Sequence, residues 1–413
     1  MEFDDLVIGS GLAALGAVLG LLSQPGRRVG VLSGPADNRF LYYDDRSTVP
    51  CAFLGPGGLG SHWHGVIPMG WRNNFAKSGD EAFREMFCRF YPHAQLDGRL
   101  GRPGLFVPWR PVRPAHELEA LARARGSDRL TLIAEPAVDL RFDELGVTVV
   151  AATGRHHARR TWVAAGALQT PALLGRSIAP RAPRGLVSDH VFCYVGQVDG
   201  QTRPRVEHTR DGVFFPAHYD RASTALYTLR PATFGFRRLD YGIEQRAMFG
   251  LPTGSAVAKI ARRMSPGLLV EAFYNRFGLF GGTAMHSVYA QVAVSEAYIL
   301  DADSPSRPLQ ARVDRIRFAT ESARDRQPFA DLRRSRQPDT ILPGIHLHHS
   351  VDLGALTQAG INTPDSPVQV VDGSVLTDIG PDHHAFKMML SAFERATGKG
   401  LDTATAEAAV PCP

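Results

Sequence analysis

The sequence predicts an α/β fold: a Rossmann-like unit of parallel strands and helices, carrying an inserted α+β unit built on an antiparallel sheet. Three observations predict it. An apolar strand pattern at Phe3–Ile8 passes through the turn Gly9-Ser10-Gly11-Leu12-Ala13-Ala14 into an apolar helix pattern at Leu12–Ser23. A second strand pattern follows at the expected distance in Arg27–Gly34, "RRVGVLSG". Far downstream, "MHSVYAQVAVS" (Met285–Ser295) alternates like a half-buried strand, and "VFCYVGQV" (Val191–Val198) reads similarly.

The opening turn has a physical logic. Gly9 permits the tight bend, Gly11 lets a pyrophosphate approach the backbone, and Ala14 lets helix and strand pack closely. The helix N-terminus then offers its amide dipoles to phosphate. A strand before the turn, a helix after it and a second strand beyond make this a dinucleotide site. One position departs from the pattern: the second strand ends at Ser33, where an acidic residue usually accepts the ribose hydroxyls. Serine accepts more weakly, and Asp37 stands close enough in sequence to substitute.

Composition narrows the remaining classes. A chain of 413 residues suggests two or three folding units, and 44% hydrophobic with 21% charged residues describes an ordinary globular protein. The net charge of +5 comes from scattered arginines, so a nucleic-acid surface is not expected. The densest basic stretch, Arg324–Arg336, reads as a solvated helix face. The cysteines Cys51, Cys88, Cys193 and Cys412 are far apart with no CxxC pair, which points to reduced thiols and a cytoplasmic protein. The apolar run Leu6–Leu22 follows Glu2, Asp4 and Asp5 and falls short of the roughly 20 residues a membrane span needs. It reads as a buried strand and helix.

Five segments then stand in order: "GPGGLGSHWHG" (Gly55–Gly65), "TWVAAGALQTPALLGRS" (Thr161–Ser177), "GLVSDHV" (Gly185–Val191), "GIHLHHSVDLG" (Gly344–Gly354) and the run from Val368 to Ala396. Together they resemble the glucose–methanol–choline (GMC) oxidoreductases, FAD-dependent alcohol oxidases and dehydrogenases. The resemblance spans nearly the whole chain. It implies FAD as cofactor, with contacts from Gly9, Gly11, Ala14, Ser33, Gly57, Gly58, Ser61, His62, His64, Val138, Ala165, Gly166, Asp372, Gly373, His384 and Ala385. "SHW" is similar to a segment of pyranose 2-oxidase that holds a covalent flavin, which implies His62 as a tether. A strand at Val368–Val371 and a helix at Ala385–Thr397 would aim the helix's positive end at the flavin ring.

Matching Leu353-Gly354 to the end of the family's histidine motif places His346 at the catalytic histidine and Ser350 at its threonine. His349 then stands where a glycine is usual, and His348 inherits no role. Counting from Asp372 gives His383 as the second catalytic residue. A neutral imidazole, with an ordinary pKa of about 6.5, takes a hydroxyl proton at neutral pH, while a second steadies the forming alkoxide. His346 is therefore expected as the base and His383 as its partner, or the reverse. A metal site on these histidines is not expected, because it leaves the nucleotide turn and "GALQTP" unexplained.

The implied division is a discontinuous FAD-binding domain of residues 1–75, 125–190 and 340–413, and a substrate-binding domain of residues 76–124 and 191–339. Helix-like segments near Ile243–Met248 and Gly254–Met264, and an apolar channel at Leu268–Met285, are expected in the latter. The chain is short for the family, which suggests an open pocket and a bulky or amphipathic alcohol, or one carried by a partner protein. Oxygen or another acceptor reoxidises the cofactor on this reading. Two rivals stay open: lyase, isomerase or cyclase chemistry without net redox on the same fold, and a catalytically dead dinucleotide-binding scaffold.

Overall fold

The opening strand-turn-helix folds as its apolar pattern dictates, and later strands build outward from it. The computed structural model describes residues 2–34, 38–43, 49–69, 79–96, 99, 103–143, 145–199, 206–220, 224–231, 285–301, 307–334, 341–377, 380–381 and 384–398. In chain order the first elements are β1 (Glu2–Ile8), α1 (Leu12–Leu22), β2 (Val29–Leu32), β3 (Arg39–Tyr42), β4 (Pro50–Leu54), β5 (Ile67–Met69), α2 (Gly79–Phe90), β6 (Gly104–Pro108) and α3 (Pro114–Arg125). Then come β7 (Leu130–Ile133), β8 (Ala137–Asp143), β9 (Gly146–Ala151), β10 (Arg155–Val163), α4 (Gln169–Ser177), β11 (Leu186–Asp199), β12 (Glu207–His208), β13 (Gly212–Pro216), β14 (His218–Tyr219) and β15 (Ala225–Pro231). The last are β16 (Met285–Leu300), β17 (Leu309–Ala311), α5 (Val313–Asp325), β18 (Arg333–Arg334), β19 (Ile341–Pro343), α6 (Leu353–Gln358), β20 (Val368–Val370) and α7 (Ala385–Thr397).

Five strands run parallel in the order β7-β2-β1-β10-β20. The hairpin β8–β9 joins the N-terminal half of β10, leaving its C-terminal half to β20. Parallel strands are buried on both faces, and alternation sorts their side chains. Leu6, Ile8 and Leu32 pack with Leu173, Leu174 and Val370, while Val7, Val29 and Val31 face the side of α1 and α7. All eleven residues of α1 are buried, as a helix apolar on every side requires. It lies hard against α7: a Cβ on Gly16 would sit 2.0 Å from the Met389 carbonyl oxygen.

A second, antiparallel sheet has the order β14-β15-β16-β11-β18, with β17 on β16 and β19 on β11. β11 and β16 pair along Leu186–Asp199, and α5 covers the sheet through Ile316 and Ala323. β11 runs through residue 190, an expected domain boundary, so Asp189 and His190 sit in this sheet. A smaller sheet, β12-β13-β6-β5, and the hairpin β3–β4 complete the described fold.

Two expectations need correction. Within its described residues the basic stretch Arg324–Arg336 is not a helix face: α5 ends at Asp325, shortly before Gln327-Pro328, where proline cannot continue it. Nor are all four thiols reduced, because Cys88 is disulfide-bonded while Cys51 and Cys193 are free and buried. Cysteines without close spacing give no sequence sign of pairing. The helix-like segments at Ile243–Met248 and Gly254–Met264 lie outside the described residues, as does the expected channel except Met285. Among the described residues no helix is long and apolar enough to cross a membrane.

Candidate active site

Strand order reverses about β1, with β2 on one side and β10 on the other, and clefts form where loops part at such a reversal. Here the β1 turn meets the end of β10 closely. Gly9, at φ +114°, would put a Cβ 2.2 Å from the Ala164 carbonyl oxygen. Gly11 caps α1 with no side-chain hydrogen bond and no acidic residue in the first turn, so the helix's amides face outward uncapped. A Cβ on Gly11 would meet only the Gly57 carbonyl oxygen, at 3.7 Å, and one on Gly166 would meet nothing within 4 Å. These glycines bound a cavity of about 1240 Å³.

The cavity wall contains Gly9, Gly11, Ser33, Gly57, Gly58, His62, His64, Ala165, Gly166, His346, Asp372, Gly373, His384 and Ala385. Three expected contacts lie off it. Ala14 is fully buried, as a packing residue should be. Ser61 donates to the Pro56 carbonyl oxygen at 2.6 Å, and Val138 is 48% exposed, while its neighbours Pro136 and Ala137 line the wall. His383 and Asp37 lie outside the described residues.

At the end of β2, the Ser33 and Ser10 hydroxyls lie 2.8 Å apart, and the Gly57 N–H donates to Ser10 Oγ at 2.9 Å. Hydroxyls thus tie the two glycine turns together where a carboxylate is usual. His62 packs against Phe40 and Phe53, and burial, then nearby Arg113, holds its imidazole below the ordinary pKa. Asp372 accepts from Gly166 N–H at 2.7 Å, Thr170 Oγ1 at 2.6 Å and Ser374 N–H at 2.9 Å. It joins β20, α4 and the cavity floor. His384 caps α7 without a side-chain hydrogen bond.

Four imidazoles gather at the α7 end. His346 and His384 have ring centroids 4.5 Å apart, His190 lies 5.1 Å from His384 and 5.5 Å from His346, and His348 lies 5.6 Å from His384. Burial, then His348, pushes His346 down to about 3, and burial, then His346, holds His384 well below its ordinary value. Both are neutral at pH 7. The His384 Nδ1 is buried with no hydrogen-bond partner among the described residues. His190 has its tautomer fixed: Nε2 faces the Gly380 carbonyl oxygen and must donate, so Nδ1 accepts from the Gln291 amide at 3.1 Å. One ring nitrogen each of His190, His346 and His384 lies within 4.8 Å of the others, a spacing a metal ion can gather. Ligation by His190 would break one of these two ring hydrogen bonds.

The two unexplained histidines acquire structural reasons. His348 pairs with Ser188 across a β-bridge, and its Nδ1 donates to the His346 carbonyl oxygen at 3.0 Å. His349 sits at φ +53°, the left-handed conformation that glycine adopts freely.

Sequence reasoning missed a network beneath His346. Asp189 is fully buried; its Oδ2 accepts from Tyr43 Oη at 2.7 Å, and its Oδ1 accepts from the His190 and His346 N–H groups, each at 2.8 Å. Tyr43 Oη accepts in turn from Ile345 N–H at 3.0 Å. Ile345 is at φ +65°, an unusual conformation for a β-branched residue. The only sequence signal was the "SDH" at Ser188–His190; nothing marked Tyr43.

A parallel α/β unit opening on a glycine turn and joined to an antiparallel sheet is the fold class these features define. Among solved structures, the chain is similar to pyridoxine 4-oxidase from Mesorbium loti, at 14% identity, covering 97% of this chain and 99% of that chain with a TM-score of 0.54. It is also similar to a fungal aryl-alcohol oxidase, at 12% identity, covering 97% and 99% with a TM-score of 0.50. The chain has the fold of these proteins. No family model matches its sequence, and no curated protein matches it significantly.

Proposed function

We propose that this protein is an FAD-dependent oxidoreductase of the GMC family that oxidises a CH–OH group to a carbonyl. The observation that carries this reading is one cavity with an uncapped glycine cradle at one end and the neutral imidazoles His346 and His384 at the other. The five ordered segments and the two oxidases of the same fold support it. Gly11 and Gly166 leave backbone room for a pyrophosphate, and the α1 amides offer it uncapped donors. FAD, when bound, supplies the acceptor for the hydride leaving the alcohol carbon.

The protein's own groups handle the proton. His346 accepts it from the substrate hydroxyl; burial keeps it neutral across the physiological range and, at about 3, makes it a weaker base than the ordinary imidazole expected from sequence. On the family register His383 holds the same oxygen, and the N-terminus of α7, at His384 and Ala385, turns its positive end toward the cavity. On the family resemblance, His62 would be the residue that tethers the flavin. Oxygen or another acceptor would reoxidise the cofactor.

Anaerobic mixing with a panel of alcohols tests the reading. Loss of the visible flavin band is expected for substrates, whereas turnover with the band intact would identify a lyase or isomerase instead. His346→Ala and His383→Ala should each keep FAD and slow reduction by about 10²–10⁴-fold, the usual range for an acid–base group. Near-wild-type reduction by both variants sinks the assignment. The same measurement on His384→Ala separates the adjacent imidazoles: unimpaired reduction leaves the partner role with His383.

A further inference from the structure

We propose that Asp189 and Tyr43 form a clamp that holds the strained segment Gly344–His346 and so sets the position of the His346 imidazole, making both positioning residues. The inference rests on the reading of His346 as the base. Every described partner of the Asp189 carboxylate donates to it, and the bonds fall on both sides of the strained Ile345: His346 N–H to Asp189, Ile345 N–H to Tyr43 Oη. A residue held at positive φ persists only where its surroundings over-determine it. Gly344 N–H adds a bond to the His190 carbonyl oxygen at 2.7 Å, so the whole segment hangs from Tyr43 and two adjacent residues of β11. His190, next to Asp189, stands against both His346 and His384 through its ring. Asp189 therefore registers the sheet roof against the imidazole cluster. Tyr43 anchors the same point from the end of the β3 strand, on the side of the cofactor loops.

The groups facing the carboxylate directly are the Tyr43 hydroxyl and the N–H groups of His190, His346 and Gly344, with Tyr298 and Cys51 beyond Tyr43; among the described residues no cation pairs with it. Burial raises Asp189 to about 7, against the opposing pull of the Tyr43 hydroxyl and the donated N–H groups. Acidification protonates the carboxylate, turns the Tyr43 bond around and weakens the hold on His346.

Tyr43→Phe keeps the ring and removes the hydroxyl. In the full FAD-loaded protein, amide hydrogen exchange in a peptide spanning residues 341–350 should accelerate about ten-fold, with β16 unchanged. Flavin reduction should show an acid limb set by Asp189, and in this variant the limb should move to higher pH, because one bond keeping Asp189 ionised is gone. Asp189→Asn should show the same faster exchange and no such limb; it also serves if Tyr43→Phe does not fold. Unchanged exchange in both variants overturns the clamp whatever the activity. A uniform rate loss at every pH with the limb in place overturns it too, since simple structural damage gives that result. Faster exchange in a protein whose flavin no alcohol reduces would keep the clamp and sink the oxidoreductase reading.

Discussion

Gly9 shows how much a single position carries. Its φ of +114° disfavours any side chain, and its would-be Cβ overlaps the Ala164 carbonyl oxygen at 2.2 Å. Gly9→Ala should lose about 1–3 kcal/mol from the conformation alone, with more from the overlap. Urea unfolding would read this, and weakened FAD retention should accompany it. Asp372 makes a second case. All three of its partners donate, so Asp372→Asn turns an amide N–H toward one of them. The expected loss is about 1–3 kcal/mol, the desolvation penalty of a buried group left unpaired, again measured by urea unfolding. At this scale the sequence was informative where conformation demands a residue type. Gly9 was legible because few residues adopt its backbone conformation. The left-handed His349 was legible as the occupant of a glycine position, although not why it is tolerated.

Elements were legible where hydrophobic periodicity governs them. The sequence places α7 at Ala385–Thr397 and the fold agrees, because the helix buries a continuous face including Phe386, Met389 and Phe393. What periodicity does not show is the distance between elements. Gly16 and Gly20, four apart on α1, are ordinary residues of an apolar run until α7 lies against them. Gly16→Ala should therefore destabilise by at least the roughly 3 kcal/mol at the upper end of overpacking, since backbone rather than a side chain must give way. The midpoint of urea unfolding should fall while its slope stays unchanged. The end of α5 at Asp325 was misjudged because charge density outweighed the nearby proline.

For the whole molecule, pH links stability to burial. Folding holds His62, His218, His346, His349 and His384 below their ordinary value of 6.5. The unfolded chain thus binds more protons below pH 6.5, and stability falls as pH drops from 6.5 toward the value of about 3 at His346. Asp189 runs the other way: raised from 3.8 to about 7, it adds stability on acidification across that interval. Five groups oppose one, so the urea midpoint should be lower at pH 5 than at pH 7.5. A flat or rising midpoint would contradict the buried neutral imidazoles.

The sequence by itself determined the parallel α/β unit and the antiparallel sheet, and singled out His346 as a candidate, because local constraints act there: glycine conformation, strand and helix periods, and motif register. Tertiary structure alone decided which groups surround that histidine. Tyr43, Asp189 and His190 reach it from segments 303, 157 and 156 positions away, respectively. Their roles come from buried hydrogen bonds and ring contacts across sheets, and a buried carboxylate acquires its partners only when the chain has closed around it.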